Sequence, residues 1–447
     1  MLPTLLATCL PPNLAHYAHS RELSRPSMSG PVETVDSPDG RFRVHYTDYG
    51  DDAMDINDND GDGVPDAVTR ILVALDIGAD AFEARGWRSL EPDNAWGGSD
   101  AIDVYVGAID ANGYAYPALP DDPDAVSSCY LEINAGLTGG SSVVLESVVV
   151  HELHHCVQFA YTVNSHAWMY ESTATYEQYQ PIEGDELDLL VNFLWALRLN
   201  QPDRPIHGVG DRYEYAGMLF PKFWAERGGT DLGRLDALWT VLGETPGWRV
   251  GIDVAASELF NTSLDGVFLD YSVWNAFACG RDDGQHYDPD VLPCTVDAGV
   301  PITPIQAGDS FEVVHENTSH TALYFELPAD GDDRAVAVSC DAPGDEAEAA
   351  VRIVALDGGG AEVGAASASV KGGEALAARL SEGLPPDGAA LLVFVSTGDV
   401  AAEQTCEVTR VAAEIPGRCA TMPASSTPWL AALLLFAARR RRGEAVR

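Results

Sequence analysis

Lysine is nearly absent from this chain of 447 residues, and basic residues of any kind are scarce. Lys222 and Lys371 are the only lysines, and 26 basic residues stand against 69 acidic ones, which gives a formal net charge of -43 at pH 7. Such a chain repels nucleic-acid phosphates and anionic membrane surfaces. The composition therefore predicts no nucleic-acid partner and suits a secreted protein in salt or divalent cations, although a general acidic bias of the genome would leave the same composition.

Cysteine pairs of the type Cys-x-x-Cys are also absent, which argues against a structural zinc ribbon or a thioredoxin-like site. The chain has eight cysteines, and the six inner ones group along the sequence into three pairs. Disulfide bonds within these pairs would fit an oxidising compartment. Connectivity does not follow from sequence, so the pairing is a hypothesis. The pairs are Cys129 with Cys156, Cys279 with Cys294, and Cys340 with Cys406.

Long apolar runs are missing from both ends of the chain. Leu2–Leu10 is short and has no basic residues before it, so residues 1–30 are interpreted as a truncated or misassigned signal segment, with an unstructured leader as the alternative. Near the carboxyl end, residues 429–438 would reach about 15 Å as a helix, half of a bilayer core. That length argues against a stable membrane span.

The most informative segment that is present runs from Val148 to His155 and contains His-Glu-x-x-His. On an α-helix, His151 and His155 lie on one face, where two imidazoles can bind one Zn²⁺. Glu152 is next to the first histidine, where its carboxylate can take a proton from water. The preceding residues are largely apolar, which predicts a helix that enters the core, although their β-branched side chains favour a strand. The alternative is a surface helix with a few histidines.

A third zinc ligand is needed, because catalytic zinc usually has three protein ligands. Glu171 and Glu177 are candidates in the segment after the motif, and their spacing of six residues points them in different directions on one helix. Glu171 is preferred because it opens the segment and small residues follow one turn later, which permits close packing against the motif helix. Glu177, His154 and His166 stay as alternatives.

An acidic loop lies ahead of the first long predicted helix. Carboxylates at alternate positions, with glycines that permit a tight turn, offer the hard oxygen ligands that Ca²⁺ binds in EF-hand-type loops. The predicted calcium ligands are Asp58, Asp60, Asp62 and Asp66. Without Ca²⁺ these charges would repel one another, and the alternative is a solvated acidic turn.

The zinc motif, followed by Trp168-x-x-Glu171-x-x-Ala174 and preceded by the acidic loop, resembles an uncharacterised group of secreted myxobacterial metallopeptidases. The resemblance covers roughly residues 40–280, and the motif is its most specific part. It implies a zincin-like fold of gluzincin type, zinc held by the two histidines and Glu171, and peptidase activity without a defined substrate.

The carboxyl-terminal tail resembles the myxobacterial sorting signal, in which a cysteine precedes a short apolar stretch and an arginine cluster. Here Cys419, residues 429–438 and Arg439–Arg442 follow that order. The resemblance implies processing near the cysteine, sorting or membrane-anchoring machinery as a partner, and attachment to the cell surface. The tail is shorter than is usual in that family, which leaves a loosely attached amphipathic tail as the alternative.

The patterns predict an α+β zincin-like domain over residues 31–300, a β-sandwich accessory domain over 301–415 and a tail over 416–447. In the first domain, a mixed sheet and the motif helix precede a helical second lobe. In the sandwich, short apolar runs alternate with turn residues. The predicted strands of the first domain are 42–47, 101–108 and 127–135, and the other predicted helices are 66–86, 185–199, 213–227, 232–242 and 257–278.

Together these features predict a secreted or surface-attached zinc peptidase that acts on protein or peptide substrates. Tyr215, from the helical lobe, is the candidate for stabilising the oxyanion, and Tyr213 is its rival. Two alternatives stay open. One is a non-catalytic cell-surface binding protein with a vestigial zinc site, and the other is a metal-dependent hydrolase of a non-peptide bond.

Overall fold

The computed structural model describes residues 25–413, except for residues 94, 96, 119–125, 229–232, 316–318, 333, 345–346, 399 and 401. Most of the predicted leader and all of the predicted sorting tail lie outside the described residues. The end of the predicted leader contacts the first domain: Arg25 forms an ion pair with Asp93 (2.6 Å), and the backbone amide of Ser29 donates to Asp52 (2.7 Å). Within the described part of the chain, no helix is long and apolar enough to cross a membrane.

The first domain is built on a five-stranded mixed sheet. Its strands are β1 (Glu33–Asp36), β2 (Phe42–Tyr46), β3 (Ile102–Gly107), β4 (Gly113–Pro117) and β5 (Cys129–Asn134). They lie in the order β1-β2-β3-β5-β4. The three inner strands are parallel, and the two edge strands, β1 and β4, are antiparallel to their neighbours. Together with the helices below, this sheet confirms the predicted α+β class.

Two long helices, α1 (Asp66–Ala84) and α2 (Ser142–Phe159), pack against this sheet and against each other. Gly78 permits the close approach, because a Cβ atom there would lie 3.2 Å from Leu153 Cδ2. Burial of Val148, Val149 and Val150 explains why this run of β-branched residues forms a helix against its local propensity. The spacing of apolar residues predicts six positions on the buried face of α1, of which Ala79 is half-buried and the other five are buried: Val68, Ile71, Leu72, Leu75 and Phe82.

The helical lobe follows, and two of its predicted helices prove to be interrupted. The predicted helix 213–227 breaks after Ala216, and the predicted helix 257–278 contains a break after Phe260. At the second break Asn261 is left-handed (φ 53°), and the Ser263 side chain caps the next helix. The helices of the lobe are α3 (Ala167–Gln178), α4 (Asp185–Leu199), α5 (Tyr213–Ala216), α6 (Leu219–Arg227), α7 (Gly233–Glu244), α8 (Trp248–Phe260) and α9 (Leu264–Ala276).

Two further sheets follow the helical lobe and enclose a second apolar core. One contains β6 (Ile302–Pro304), β8 (Thr321–Pro328), β10 (Glu348–Leu356), β11 (Glu362–Lys371) and β13 (Ala389–Ser396), in the order β11-β10-β13-β8-β6. The other contains β7 (Ser310–His315), β9 (Arg334–Cys340), β12 (Leu376–Arg379) and β14 (Ala402–Ala412), in the order β12-β9-β14-β7. Side chains from both sheets, such as Val313 and Leu392, meet in this core.

Strand β13 joins this sandwich to the helical lobe, because both of its faces are buried. Polar contacts cross the same boundary: the Tyr324 hydroxyl donates to the Ser272 carbonyl (2.9 Å), and Arg352 pairs with Asp270 (2.7 Å). The first domain and the sandwich therefore share packed surface along β13. Its alternate residues divide between the sandwich core (Ala390, Leu392, Phe394) and the core of the first domain (Leu391, Val393, Val395).

All three predicted disulfide bonds are present, so the pairing hypothesis is confirmed. Disulfide bonds of this kind persist in oxidising compartments, and they are consistent with an extracellular location. The bonds are Cys129–Cys156 between β5 and α2, Cys279–Cys294 in the segment after α9, and Cys340–Cys406 between β9 and β14.

Candidate metal site

The predicted zinc ligands converge from two helices. His151 and His155 lie one turn apart on α2, and Glu171 reaches them from the middle of α3. Glu171 Oε2 is 3.2 Å from His151 Nε2 and 3.8 Å from His155 Nε2, and one ligand atom of each residue lies within 4.8 Å of the other two. All three side chains are buried. The fold thus brings together the three side chains that the motif and its following segment predicted.

This set of donors fits zinc. Two imidazoles and one carboxylate are a common ligand set of catalytic zinc, which keeps a further position open for water. Burial and the neighbouring His151 lower the pKa of His155 well below its usual value, so its ring is neutral, the form that binds a metal. Its Nε2 atom is buried and has no hydrogen-bond partner among the described residues, as expected of an atom that serves a metal.

Burial raises the pKa of the Glu171 carboxyl. The contact with His151 and a hydrogen bond from Tyr215 act in the opposite direction, and the carboxylate of Glu214 raises the pKa further. A buried carboxylate whose charged form is disfavoured gains strongly from a bound cation. The surroundings of Glu171 therefore favour a role as metal ligand. Glu214, which the sequence did not single out, belongs to these surroundings.

The alternative third ligands have other contacts. Glu177 forms a buried ion pair with Arg85, with distances of 2.8 and 3.0 Å between its two oxygens and the guanidinium. The His154 ring packs edge-on against Phe82 and Trp87, with centroid distances of 4.9 and 4.7 Å. His166 precedes α3 and accepts a hydrogen bond from a backbone amide of its first turn. None of the three belongs to the ligand cluster.

Two glutamines that the sequence analysis missed contact the histidines. His155 Nδ1 is 2.7 Å from Gln158 Oε1, and His151 Nδ1 is 2.5 Å from Gln178 Oε1. Because an amide oxygen only accepts, an oxygen that faces the ring places the hydrogen on Nδ1 and leaves Nε2 to offer its lone pair to the metal position. A signal was available: Gln158 follows His155 by one turn and Gln178 follows Glu171 by two turns, on the face of each helix that carries a ligand.

Glu152, the predicted general base, is fully buried on α2 and lies against β4. A Cβ atom on Gly113 would approach Glu152 Cγ to 2.6 Å and Oε1 to 2.8 Å, so glycine is required for this close contact. Strand β4 forms one edge of the first sheet. The carboxylate therefore lies against an edge strand of the sheet, on the same helix as His151 and His155.

The structure separates the two candidate tyrosines. The ring centroid of Tyr215 is 6.0 Å from that of His151, and its side chain hydrogen-bonds to Glu171. The hydroxyl of Tyr213 instead donates to the carbonyl of Gln201 (3.0 Å), away from the ligands. Of the two, Tyr215 is the tyrosine at the site.

A tight turn in front of α5 positions Tyr215. Three consecutive residues have positive φ: Gly210 (89°), Asp211 (55°) and Arg212 (69°). Left-handed conformations are costly for residues other than glycine, and they cluster at functional sites. The turn is closed by Glu214, whose Oε2 accepts a hydrogen bond from the Gly210 amide (2.8 Å). The backbone is therefore strained at Asp211 and Arg212, directly before the short helix that carries Tyr215 at the ligand cluster.

Comparison with known proteins adds little to this geometry. No family model matches the chain, and no curated protein matches it. Among solved structures, the chain is similar to the pre-peptidase C-terminal domain of a collagenase from Bacillus anthracis, with 9% sequence identity and a TM-score of 0.20. The match covers 24% of this chain and 95% of that domain. A likeness this weak indicates neither the fold nor the activity of this chain. The resemblance to myxobacterial metallopeptidases stays a prediction.

Three of the four predicted calcium ligands lie together in the acidic loop. Asp58, Asp60 and Asp62 each offer a carboxylate oxygen within 4.8 Å of the others, and all three are exposed. Asp66 is not part of this group, because it begins α1 and accepts a hydrogen bond from the backbone amide of Asn59 (3.1 Å). The loop therefore groups three carboxylates, while Asp66 ties the loop to the helix.

Proposed function

We propose that the protein is a secreted or surface-attached, zinc-dependent peptidase with a zincin-like first domain. The proposal is carried by one observation, the convergence of His151, His155 and Glu171 from two helices, one of which also carries the buried Glu152. Neutral imidazoles and a carboxylate suit zinc, and a neighbouring carboxylate suits proton transfer. The three disulfide bonds support an extracellular setting.

Each residue of the site has a distinct task in this proposal. When bound, zinc supplies Lewis-acid activation of the scissile carbonyl and of water. Glu152 takes a proton from the attacking water and later passes it to the leaving amine. Tyr215, held at the site by the turn before α5, stabilises the negative charge that develops on the carbonyl oxygen. The two glutamines hold the histidine rings.

A peptide substrate is favoured by the position of β4. This strand lies at the edge of the first sheet and passes Glu152 at Gly113. Extended peptides commonly bind alongside an edge strand through main-chain hydrogen bonds. A chain that lies along β4 would bring a peptide bond close to both Glu152 and the metal ligands.

We also propose that the acidic loop binds Ca²⁺. Asp58, Asp60 and Asp62 would supply carboxylate oxygens, and neutralisation of their mutual repulsion would stabilise the start of α1. Because α1 packs on α2, calcium would support the helix that carries the zinc ligands.

Metal content and hydrolysis together test the proposed function. We expect purified protein to carry stoichiometric zinc and to cleave casein, and we expect a chelator to abolish cleavage until zinc is restored. Cleavage of model esters but not of casein would favour a hydrolase of non-peptide bonds. Zinc without hydrolysis of either substrate would favour the surface-binding protein, and absence of zinc would contradict the proposal.

A further inference from the structure

The two metal-binding histidines are held by side-chain amides, and the two amides differ in how they are themselves held. Gln158 and Gln178 are both buried, and each accepts from the Nδ1 atom of one histidine. Each glutamine has a second hydrogen-bond partner, which its amide nitrogen contacts. Those second partners determine whether the amide could turn over and reverse the histidine's hydrogen bonding.

The amide of Gln158 has a fixed orientation. Its Nε2 donates to the backbone carbonyl of Tyr170 (3.0 Å), which can only accept. A turned amide would place its oxygen against this carbonyl and its NH₂ group against His155. The oxygen must therefore face His155, which fixes the hydrogen on Nδ1 and leaves Nε2 free for a metal.

The amide of Gln178 has no such constraint. Its Nε2 lies 2.9 Å from the hydroxyl oxygen of Ser147. A hydroxyl can donate as well as accept, so Ser147 satisfies either an NH₂ group or an oxygen at this position. The contact holds the side chain in place beside His151, but it does not select one orientation.

Gln158 also connects the two ligand-bearing helices. It lies on α2 with His155, and its partner Tyr170 lies on α3 directly before Glu171. One side chain thus bridges the ring of one ligand and the backbone next to another. Gln178 also links the two helices, because it ends α3 while its hydroxyl partner and its histidine both belong to α2, but this link does not reach the backbone next to Glu171.

We propose that Gln158 is a positioning residue that fixes the tautomer of His155 and the spacing between His155 and Glu171, and that Gln178 is a replaceable support of His151. This inference rests on the zinc site of the proposed function, but it does not depend on which bond the protein hydrolyses. It predicts that the two glutamines respond differently to the same substitution.

Replacement by glutamate exposes the difference. A carboxylate at position 158 could still accept from His155, but its second oxygen would face the Tyr170 carbonyl, so two acceptors would oppose each other where a hydrogen bond is now. A carboxylate at position 178 would accept from both His151 and the Ser147 hydroxyl. Glutamate therefore removes the hydrogen bond between residue 158 and Tyr170 but keeps the one between residue 178 and Ser147.

The test is zinc affinity, measured on the full-length protein by competition with a chromophoric chelator. Gln158→Glu should weaken zinc binding by about 10- to 100-fold, the usual effect of losing a residue that orients a metal ligand. Gln178→Glu should bind zinc at least as tightly as the wild type. Equal losses in the two variants, or a loss confined to Gln178→Glu, would overturn the inference.

A second measurement uses the metal-free wild type and does not depend on the folding of any variant. Histidine ring nitrogens labelled with ¹⁵N report the tautomer of each ring, and we expect the hydrogen of His155 on Nδ1. A hydrogen on Nε2 of metal-free His155 would overturn the inference, even if the protein binds zinc. Failure of the wild type to bind zinc would instead count against the proposed function, since the tautomer is measured without metal.

Discussion

Tyr213 and Tyr215 lie two residues apart on α5 but face different surroundings. Tyr215 contacts Glu171 and the ring of His151, so its side chain lies at the ligand cluster. The hydroxyl of Tyr213 joins the end of α4 to α5 through Arg198 and a backbone carbonyl. In the proposed function, the Tyr215 hydroxyl therefore takes part in catalysis, whereas the Tyr213 hydroxyl supports the fold.

Removal of each hydroxyl should give opposite results. Tyr215→Phe should lower kcat for a peptide substrate by about 10²-fold while zinc content and stability are kept, because it removes a donor near the developing oxyanion. Tyr213→Phe should keep kcat and lower the free energy of unfolding by about 1 to 3 kcal/mol, because buried partners lose a hydrogen bond. Steady-state kinetics and urea unfolding measure both effects, and a Tyr215→Phe enzyme with wild-type kcat would refute this assignment.

The sequence predicted the cluster of His151, His155 and Glu171 but not the two glutamines that contact its histidines. His151 and His155 were predictable because a spacing of four residues places both on one helical face. Glu171 was predictable because it opens its segment and the small residues one turn later permit close packing against the motif helix. Gln158 and Gln178 were missed because glutamine is not a residue type that by itself indicates catalysis or metal binding. Their role depends on which hydrogen bonds the neighbouring backbone and Ser147 offer, and that requires tertiary structure.

At the scale of elements, the disulfide Cys129–Cys156 ties α2 to the sheet at the residue after His155. Replacement of both cysteines by alanine should lower the free energy of unfolding by about 3.5 kcal/mol, because the bond closes a loop with a sequence separation of 27 residues. It should also weaken zinc binding, because α2 loses a fixed point beside a ligand.

The disulfide Cys279–Cys294 provides the matched control. Its sequence separation is 15, so its removal should cost about 3 kcal/mol. It lies after α9 and joins two residues outside the ligand-bearing helices, so zinc affinity should not change. Denaturant unfolding and chelator competition on both double variants test this pair of expectations, and equal zinc affinity in the two would contradict the structural link between Cys156 and the metal site.

The helix α1 could be predicted from the periodicity of its apolar residues, whereas the break between α8 and α9 could not. The apolar spacing of α1 identified its buried face correctly, with Val68, Ile71 and Leu75 in the core. The break between α8 and α9 depends on the left-handed conformation of Asn261 and the cap supplied by Ser263. Apolar residues continue on both sides of that break, so the pattern alone indicates one long helix.

At the scale of the whole molecule, the sandwich is packed against the helical lobe. The sequence contained a sign of this: Ala390–Val395 is an unbroken apolar run, which is typical of a strand buried on both faces. What the sequence could not show is the partner of the second face. That partner is the helical lobe, to which Tyr324 and Arg352 are bonded.

The boundary between lobe and sandwich should make the protein sensitive to acid. His320 is buried there, and burial, Arg249 and His207 lower its pKa to about 3. Between pH 6.5 and 3 the unfolded chain holds a proton on this histidine and the folded chain does not, so acid favours unfolding. Stability from this group is fully present above pH 6.5 and is lost as the pH falls towards 3.

Replacement by asparagine isolates this contribution, because asparagine tolerates the left-handed backbone of His320 (φ 58°) and does not titrate. Over that pH range the wild type should lose roughly 4 kcal/mol more unfolding free energy than His320→Asn. Urea unfolding of both proteins at several pH values measures the difference. Parallel pH profiles for the two would show that His320 is not kept neutral by the fold.

If the ligand cluster and Glu152 form a hydrolytic site, activity must depend on the Glu152 carboxylate while zinc binding does not. Casein cleavage and zinc content are measured for the wild type, Glu152→Gln and the control Glu146→Gln, which changes a glutamate on the same helix away from the ligands. We expect Glu152→Gln to keep its zinc and to lose about 10²-fold or more of its activity, whereas Glu146→Gln should stay close to the wild type. Casein cleavage by Glu152→Gln at the wild-type rate would contradict this expectation.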